Sequence, residues 1–160
     1  MDALALLKQD HDQVKRMLKQ LADEEDVGRR GELFGQLVRD LTVHENIEEE
    51  LFYPALKQKP EAKQDVLEAF EEHHLVDEVM SDIEDTALDS VDWKAKFTVL
   101  TEQLEHHIQD EETKLFAEAR RAFDERELAD LGARMAALKE DEAQEVEAEQ
   151  AEELEELQKD

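Results

Sequence analysis

The stretch LTVHENIEEELFYP, residues 41–54, sets a histidine in front of a run of carboxylates, and its reading decides the fold. At 3.6 residues per turn, His44 and Glu48 lie one above the other on a single helix face. Phe34, Leu37 and Leu41 extend that face backwards and Leu51 and Ala55 extend it forwards, in steps of three and four. His44 and Glu48 therefore interrupt an apolar stripe, where a polar group without a partner is costly to bury. Glu49 and Glu50 fall on the helix flank or toward solvent.

The same stripe recurs along the chain. Leu4, Leu7, His11, Val14, Leu18 and Leu21 form one; Val66, Ala69, His73, Val76, Met80 and Ile83 another; Phe97, Leu100, Leu104, His107 and Glu111 a fourth. The predicted helices cover roughly 3–23, 30–57, 61–86 and 90–122, with a fifth over roughly 124–139. The breaks are DEEDVGRRGE (23–32), KQKPEAK (57–63) and DTALDSVDW (85–93), with glycines, Pro60, and Asp and Ser at capping positions. Short connections between long helices predict an all-α, antiparallel up-down-up-down four-helix bundle over 1–123. Residues 124–160 form a C-terminal helical extension and acidic tail. From 139 to 160 the tail holds eleven acidic residues against two lysines, with Val146, Leu154 and Leu157 as a thin apolar stripe. It reads as a solvated helix or as disordered, and no chemistry is assigned to it.

In an antiparallel hairpin, residues equidistant from the turn lie side by side. His11 and His44 are 33 residues apart, His44 and His73 are 29 apart, and His73 and His107 are 34 apart. Each midpoint falls in a predicted turn, so the four histidines share one level of the bundle. Glu48 and Glu111 lie one turn beyond, on helices that run the same way. The pattern Phe-x2-Leu-x3-Leu-x2-His-x3-Glu occurs twice with identical spacing, at 34–48 and at 97–111. Phe52 and Tyr53 then match Leu115 and Phe116.

A single histidine on an apolar stripe is more often a satisfied core side chain than a ligand, and most glutamates sit on solvated faces. Four histidines and two glutamates converging on adjacent layers are a different matter, because pairing among themselves would carry a heavy desolvation cost. Metal binding by His11, His44, Glu48, His73, His107 and Glu111 is the expectation. His74 and His106 neighbour the stripe histidines but point about 100° away. His73 and His107 are preferred, the first choice being the more open because Glu78 follows His74 by one turn. Glu45 and Asp77 flank the stripe and are further candidates. Tyr53, Phe52, Phe116, Met17, Met80 and Met135 read as core.

Composition narrows the function. Among 160 residues there is no cysteine, which leaves His, Asp and Glu as metal ligands and excludes disulfides. The formal charge of −27 argues against nucleic acid and against anionic membranes as partners. No apolar run is long enough to cross a bilayer, and MDALALLKQDHDQ is too acidic for a secretory signal, so the cytoplasm is the default. No P-loop, nucleophile elbow or dinucleotide fingerprint is present.

The segments DHDQV (10–14), HENIEEELFYPAL (44–56), EEHHLVDEV (71–79) and HIQDEETKLF (107–116) together resemble the hemerythrin-like (HHE cation-binding) domain over residues 1 to about 123. The resemblance implies an antiparallel four-helix bundle around two iron ions, an oxo- or hydroxo-bridged di-iron centre without haem. It implies inward histidines and two bridging carboxylates, falling here on His11, His44, His73, His107, Glu48 and Glu111. It departs from the oxygen carriers of that family, which have HxxxH on the third helix, where this chain has Asp77 in the second position. They have HxxxxD on the fourth helix, where this chain has Glu112 and where Glu111 fits the stripe better. A simple oxygen carrier is therefore not the expected role. The implied partners are O₂, peroxide or nitric oxide, in sensing, in peroxide removal as redox catalysis at the di-iron centre, or in iron homeostasis. The alternatives are a non-redox store for Zn, Mn or Fe, and a metal-free helical interaction module. No protein partner is legible.

Overall fold

A computed structural model describes residues 1–159, and over them every regular element is helical. Asp160, the last residue of the acidic tail, lies outside the described residues. Helix α1 (Ala3–Asp23) starts at Asp2, whose carboxylate accepts from the Ala5 N–H at 2.8 Å. Helix α2 (Val27–Ile47) starts at Asp26, which accepts from the Arg29 N–H. The first turn is therefore shorter than the sequence suggested. Asp26 caps ahead of Gly28 and Gly31, and both glycines lie inside α2.

Helix α2 passes without a break through a π-helical turn (Glu48–Phe52) into α3 (Tyr53–Lys57). A 3₁₀ turn (Pro60–Ala62) leads to α4 (Lys63–Glu84). Helix α5 (Val91–Asp110), capped by the Ser90 hydroxyl, passes through a second π turn (Glu111–Leu115) into α6 (Phe116–Ala122). Each π turn begins at a stripe glutamate. The Tyr53 N–H bonds the Glu48 carbonyl and the Phe116 N–H bonds the Glu111 carbonyl, each spanning five residues.

Helix α7 runs unbroken from Glu125 to Gln158, opened by a reciprocal capping box between Asp124 and Glu127. The thin apolar stripe of the tail is continuous with the helix before it, and the helix carries on through it. Leu128, Leu131 and Met135 bury its first half against the other helices, whereas Leu154 and Leu157 are exposed. α7 packs on α1 and α2. At Gly132 the approach is closest: a Cβ there would stand 2.5 Å from the Met1 carbonyl oxygen and 2.7 Å from the Ala3 nitrogen.

α1 packs on α2, α4 on α5, and α3 on both α4 and α6. The buried apolar residues form two clusters. One gathers Leu4, Leu7, Phe52, Tyr53, Leu56, Val66, Phe116 and the inner face of α7. The other gathers Val14, Leu18, Leu37, Leu41, Ile83, Trp93, Phe97 and Leu100. Each such side chain stabilises the fold by about 1.5–3 kcal/mol when fully buried. Met17, Met80 and Met135 are buried among them. Between the two clusters lies a layer of buried polar side chains. Among the described residues no helix is long and apolar enough to cross a membrane.

Candidate metal centre

The polar layer is built from four helices. His11 comes from α1, His44 from α2, His73 from α4 and His107 from α5. Glu48 and Glu111 stand at the first positions of the two π turns, and all six side chains are buried. The imidazole centroids of His11 and His44 are 5.0 Å apart, and those of His73 and His107 are 4.8 Å apart. The four histidines thus share one level.

Each glutamate stands between two of them. Glu48 Oε1 lies 3.1 Å from His44 Nε2 and 3.1 Å from His73 Nε2. Glu111 reaches His11 Nε2 at 3.2 Å through one oxygen and His107 Nε2 at 3.4 Å through the other. Two overlapping ligand sets result: His11, His44, Glu48 and Glu111, and then Glu48, His73, His107 and Glu111. Within each set the ligand atoms lie within 4.8 Å of one another, and both glutamates belong to both sets.

Two of the outward nitrogens are held by further carboxylates. His11 Nδ1 donates to Glu112 at 2.7 Å and His44 Nδ1 donates to Asp10 at 2.9 Å. A proton fixed on Nδ1 turns the lone pair of Nε2 inward. Glu72 stands 3.6 Å from His107 Nδ1 and Glu49 3.9 Å from His73 Nδ1, at longer range.

The cluster's own chemistry asks for cations. His11 Nε2, His44 Nε2, Glu48 Oε2 and Glu111 Oε1 are buried without a hydrogen-bond partner. His73 Nε2 and His107 Nε2 face each other at 3.2 Å, where one proton at most can serve both. Orphan acceptors gathered in a dry layer are expensive unless something positive sits among them. These residues fit metal ions.

Protons are the competing cations. Burial is the largest influence on His73 and pulls its pKa down, but Glu48 and Glu49 outweigh it and push the imidazole up to about 9. For His107, burial is likewise outweighed, by Glu111 and Glu72, and the pKa rises to about 10. His44 is raised well above the usual range, Glu48 and Asp10 overcoming burial. Burial would raise Glu111, yet close contact with Glu48, His107 and His11 holds it well below.

The sequence profile described as the hemerythrin HHE cation binding domain matches residues 2–119. The chain belongs to this family. Its HHE domain carries a buried His/Glu cluster able to bind metal cations. A solved structure of a hemerythrin HHE cation binding domain-containing protein from Mycobacterium kansasii superposes with a TM-score of 0.80 at 26% identity, covering 89% of this chain and 87% of that one. A curated relative named DNA nickase, from Nostoc sp. (strain PCC 7120 / SAG 25.82 / UTEX 2576), is 27% identical over 115 residues. That match takes in 72% of this chain, which spans 32% of the relative's length.

The flanking candidates separate clearly in this HHE domain. Among the described residues, His74 and His106 have side chains 69% and 70% exposed and pair with Glu78 and Asp110 one turn on, and His106 with Glu72 and Asp110 also makes an outlying ligand group. Glu45 is buried, lies close to Asp77, and is grouped with Glu49 and His73 as a third possible ligand set. Burial first, and then that contact, push the Glu45 carboxyl up to about 9. Glu50 is exposed, while Glu49 is half-buried beside His73.

Several participants escaped the sequence reading. Tyr53 is buried in the apolar cluster as read, but its hydroxyl also donates to Glu111 and lies 3.2 Å from His73 Nε2. Asp10 and Glu112, which orient two histidines, adjoin His11 and Glu111 in the chain, and that adjacency was the available signal. The π turns had one: Pro54 follows the first, and nothing comparable follows the second.

Proposed function

We propose that this HHE domain is a non-haem di-iron protein that binds or reacts with O₂ or a related small molecule such as peroxide or nitric oxide. His11 and His44 would hold one iron, His73 and His107 the other, and Glu48 and Glu111 would bridge them. The carrying observation is that both glutamates belong to both ligand sets. Two imidazoles for each metal and two shared carboxylates, all projecting inward from bundle helices, suit a pair of irons. Bound iron supplies one-electron redox chemistry and coordination positions for a small ligand. The protein supplies the rest. The two apolar clusters exclude water from the layer, Asp10 and Glu112 orient His44 and His11, and the Tyr53 hydroxyl keeps a proton beside Glu111.

We read the four ligand-bearing segments as an up-down-up-down four-helix bundle over 1–123, with 124–160 as its helical extension. Packing of consecutive segments and the single histidine level support this. The activity in the Nostoc relative's name is not carried over, because a net charge of −27 disfavours contact with a phosphate backbone.

Metal analysis with an optical spectrum tests the reading. About two irons per chain, with a visible band that responds to azide, peroxide or O₂, is the expected result. A full complement of colourless metal would replace it with metal storage, and absence of metal after expression in iron-rich medium would end it.

A further inference from the structure

Lys139 lies in α7, beyond the residues 2–119 that the family profile matches. Its Nζ donates to Asp10 Oδ1 at 2.5 Å. The other oxygen, Asp10 Oδ2, accepts the His44 Nδ1 proton at 2.9 Å. Asp10 is buried, and among the described residues no other Lys or Arg forms an ion pair with it. The chain of contacts runs from a helix outside the ligand-bearing segments to the inward Nε2 of a site histidine.

Its surroundings favour a fixed geometry. Asp10, His44 and Lys139 line a cavity of about 310 Å³ between α1, α2 and α7, together with Arg39 and Gln150. A carboxylate bordering such a space has room to rotate. The ammonium group takes one oxygen and so fixes the direction in which the other faces the imidazole. No such chain backs His73 or His107, whose outer nitrogens have no hydrogen-bond partner.

We propose that Lys139 is a positioning residue for the metal centre: through Asp10 it sets the orientation of His44, so that α7 governs how tightly one of the two metal positions is held. The inference rests on the metal-binding reading above. Partners of this kind to a ligating histidine are commonly worth ten- to a hundredfold in metal affinity.

The test uses the full chain and cobalt(II) as the probe, with affinities from competition against a chromophoric chelator. K139M should weaken one of two bound cobalt ions by about tenfold. D10N should do the same, and the double variant should be no weaker than D10N, because both changes break one chain of contacts. NMR supplies a second readout. In K139M the His44 Nδ1 proton should exchange faster with water, while the His11 proton keeps its rate.

Wild-type cobalt affinity in K139M, or effects of K139M and D10N that multiply, would overturn the proposal. Equal acceleration at His44 and His11 would also overturn it, since Lys139 would then act only by docking α7. If wild-type protein binds no cobalt, the metal reading fails instead, and exchange at His44 in the metal-free protein still decides whether Lys139 positions it.

Discussion

At the scale of single residues, neighbours in sequence have opposite fates. His107 faces the buried layer, whereas His106 is 70% exposed beside Asp110. His107→Ala should remove a ligand and lower bound metal by at least half, and His106→Ala should leave stoichiometry unchanged, as elemental analysis of the two purified variants would show. Tyr53 and Phe116 make a second contrast. Each stands five residues past a stripe glutamate and lies against a histidine, at centroid distances of 5.4 Å from His73 and 6.0 Å from His11. Only Tyr53 brings a hydroxyl to Glu111. Tyr53→Phe should cost about 1.5–3 kcal/mol in urea unfolding of the metal-free protein, as the loss of a hydrogen bond to a charged group does. A cost within error of zero would mean that Glu111 does not need the hydroxyl. The six stripe residues were legible because spacing fixes which face a side chain takes and how far it lies from a turn. The carboxylates behind the histidines were not, because spacing does not say which way a flexible acidic side chain bends.

Among the elements, the ligand-bearing helices were readable because each carries its stripe over several turns. The turn before α2 is shorter than its glycines suggest, because Asp26 already supplies the cap. Beyond Pro54 after the first, nothing in the sequence marks the π turns, because closing a helical ring over five residues instead of four demands no particular side chain. α7 reads as two pieces in sequence and is one helix in space, since its burial ends near Met135 while its hydrogen-bond ladder does not. Its seat depends on Gly132, where a methyl group would meet backbone of residues 1–3 rather than a yielding side chain. Gly132→Ala should therefore destabilise by about 1–3 kcal/mol, the usual cost of overpacking, despite the higher helix propensity of alanine. Thermal melting would check it, and a stabilised variant would show that α1 and α7 separate easily.

For the whole molecule, the buried layer couples folding to pH. His73 and His107 rise from an ordinary value of 6.5 to about 9 and about 10, and Glu45 rises from 4.5 to about 9. Between pH 6.5 and 10 the folded, metal-free chain thus binds more protons than the unfolded chain. The stability this contributes is complete below about pH 6.5 for the two histidines and below about pH 4.5 for Glu45, and it is lost as pH rises through 9 to 10. Chelator-treated protein should melt at progressively lower temperature from pH 7 to 10. Metal-loaded protein should show a flatter profile, because the metal takes the place of the protons. A melting temperature that rises with pH in the chelator-treated sample would contradict this.

The two π turns make one half of the chain echo the other. One interruption, at one glutamate, four residues after one histidine, is written twice. Each half holds two of the histidines and one of the glutamates, and neither completes a ligand set alone, since each set borrows a glutamate from the other half. The centre is therefore a joint product of both halves and exists only where they are folded against each other.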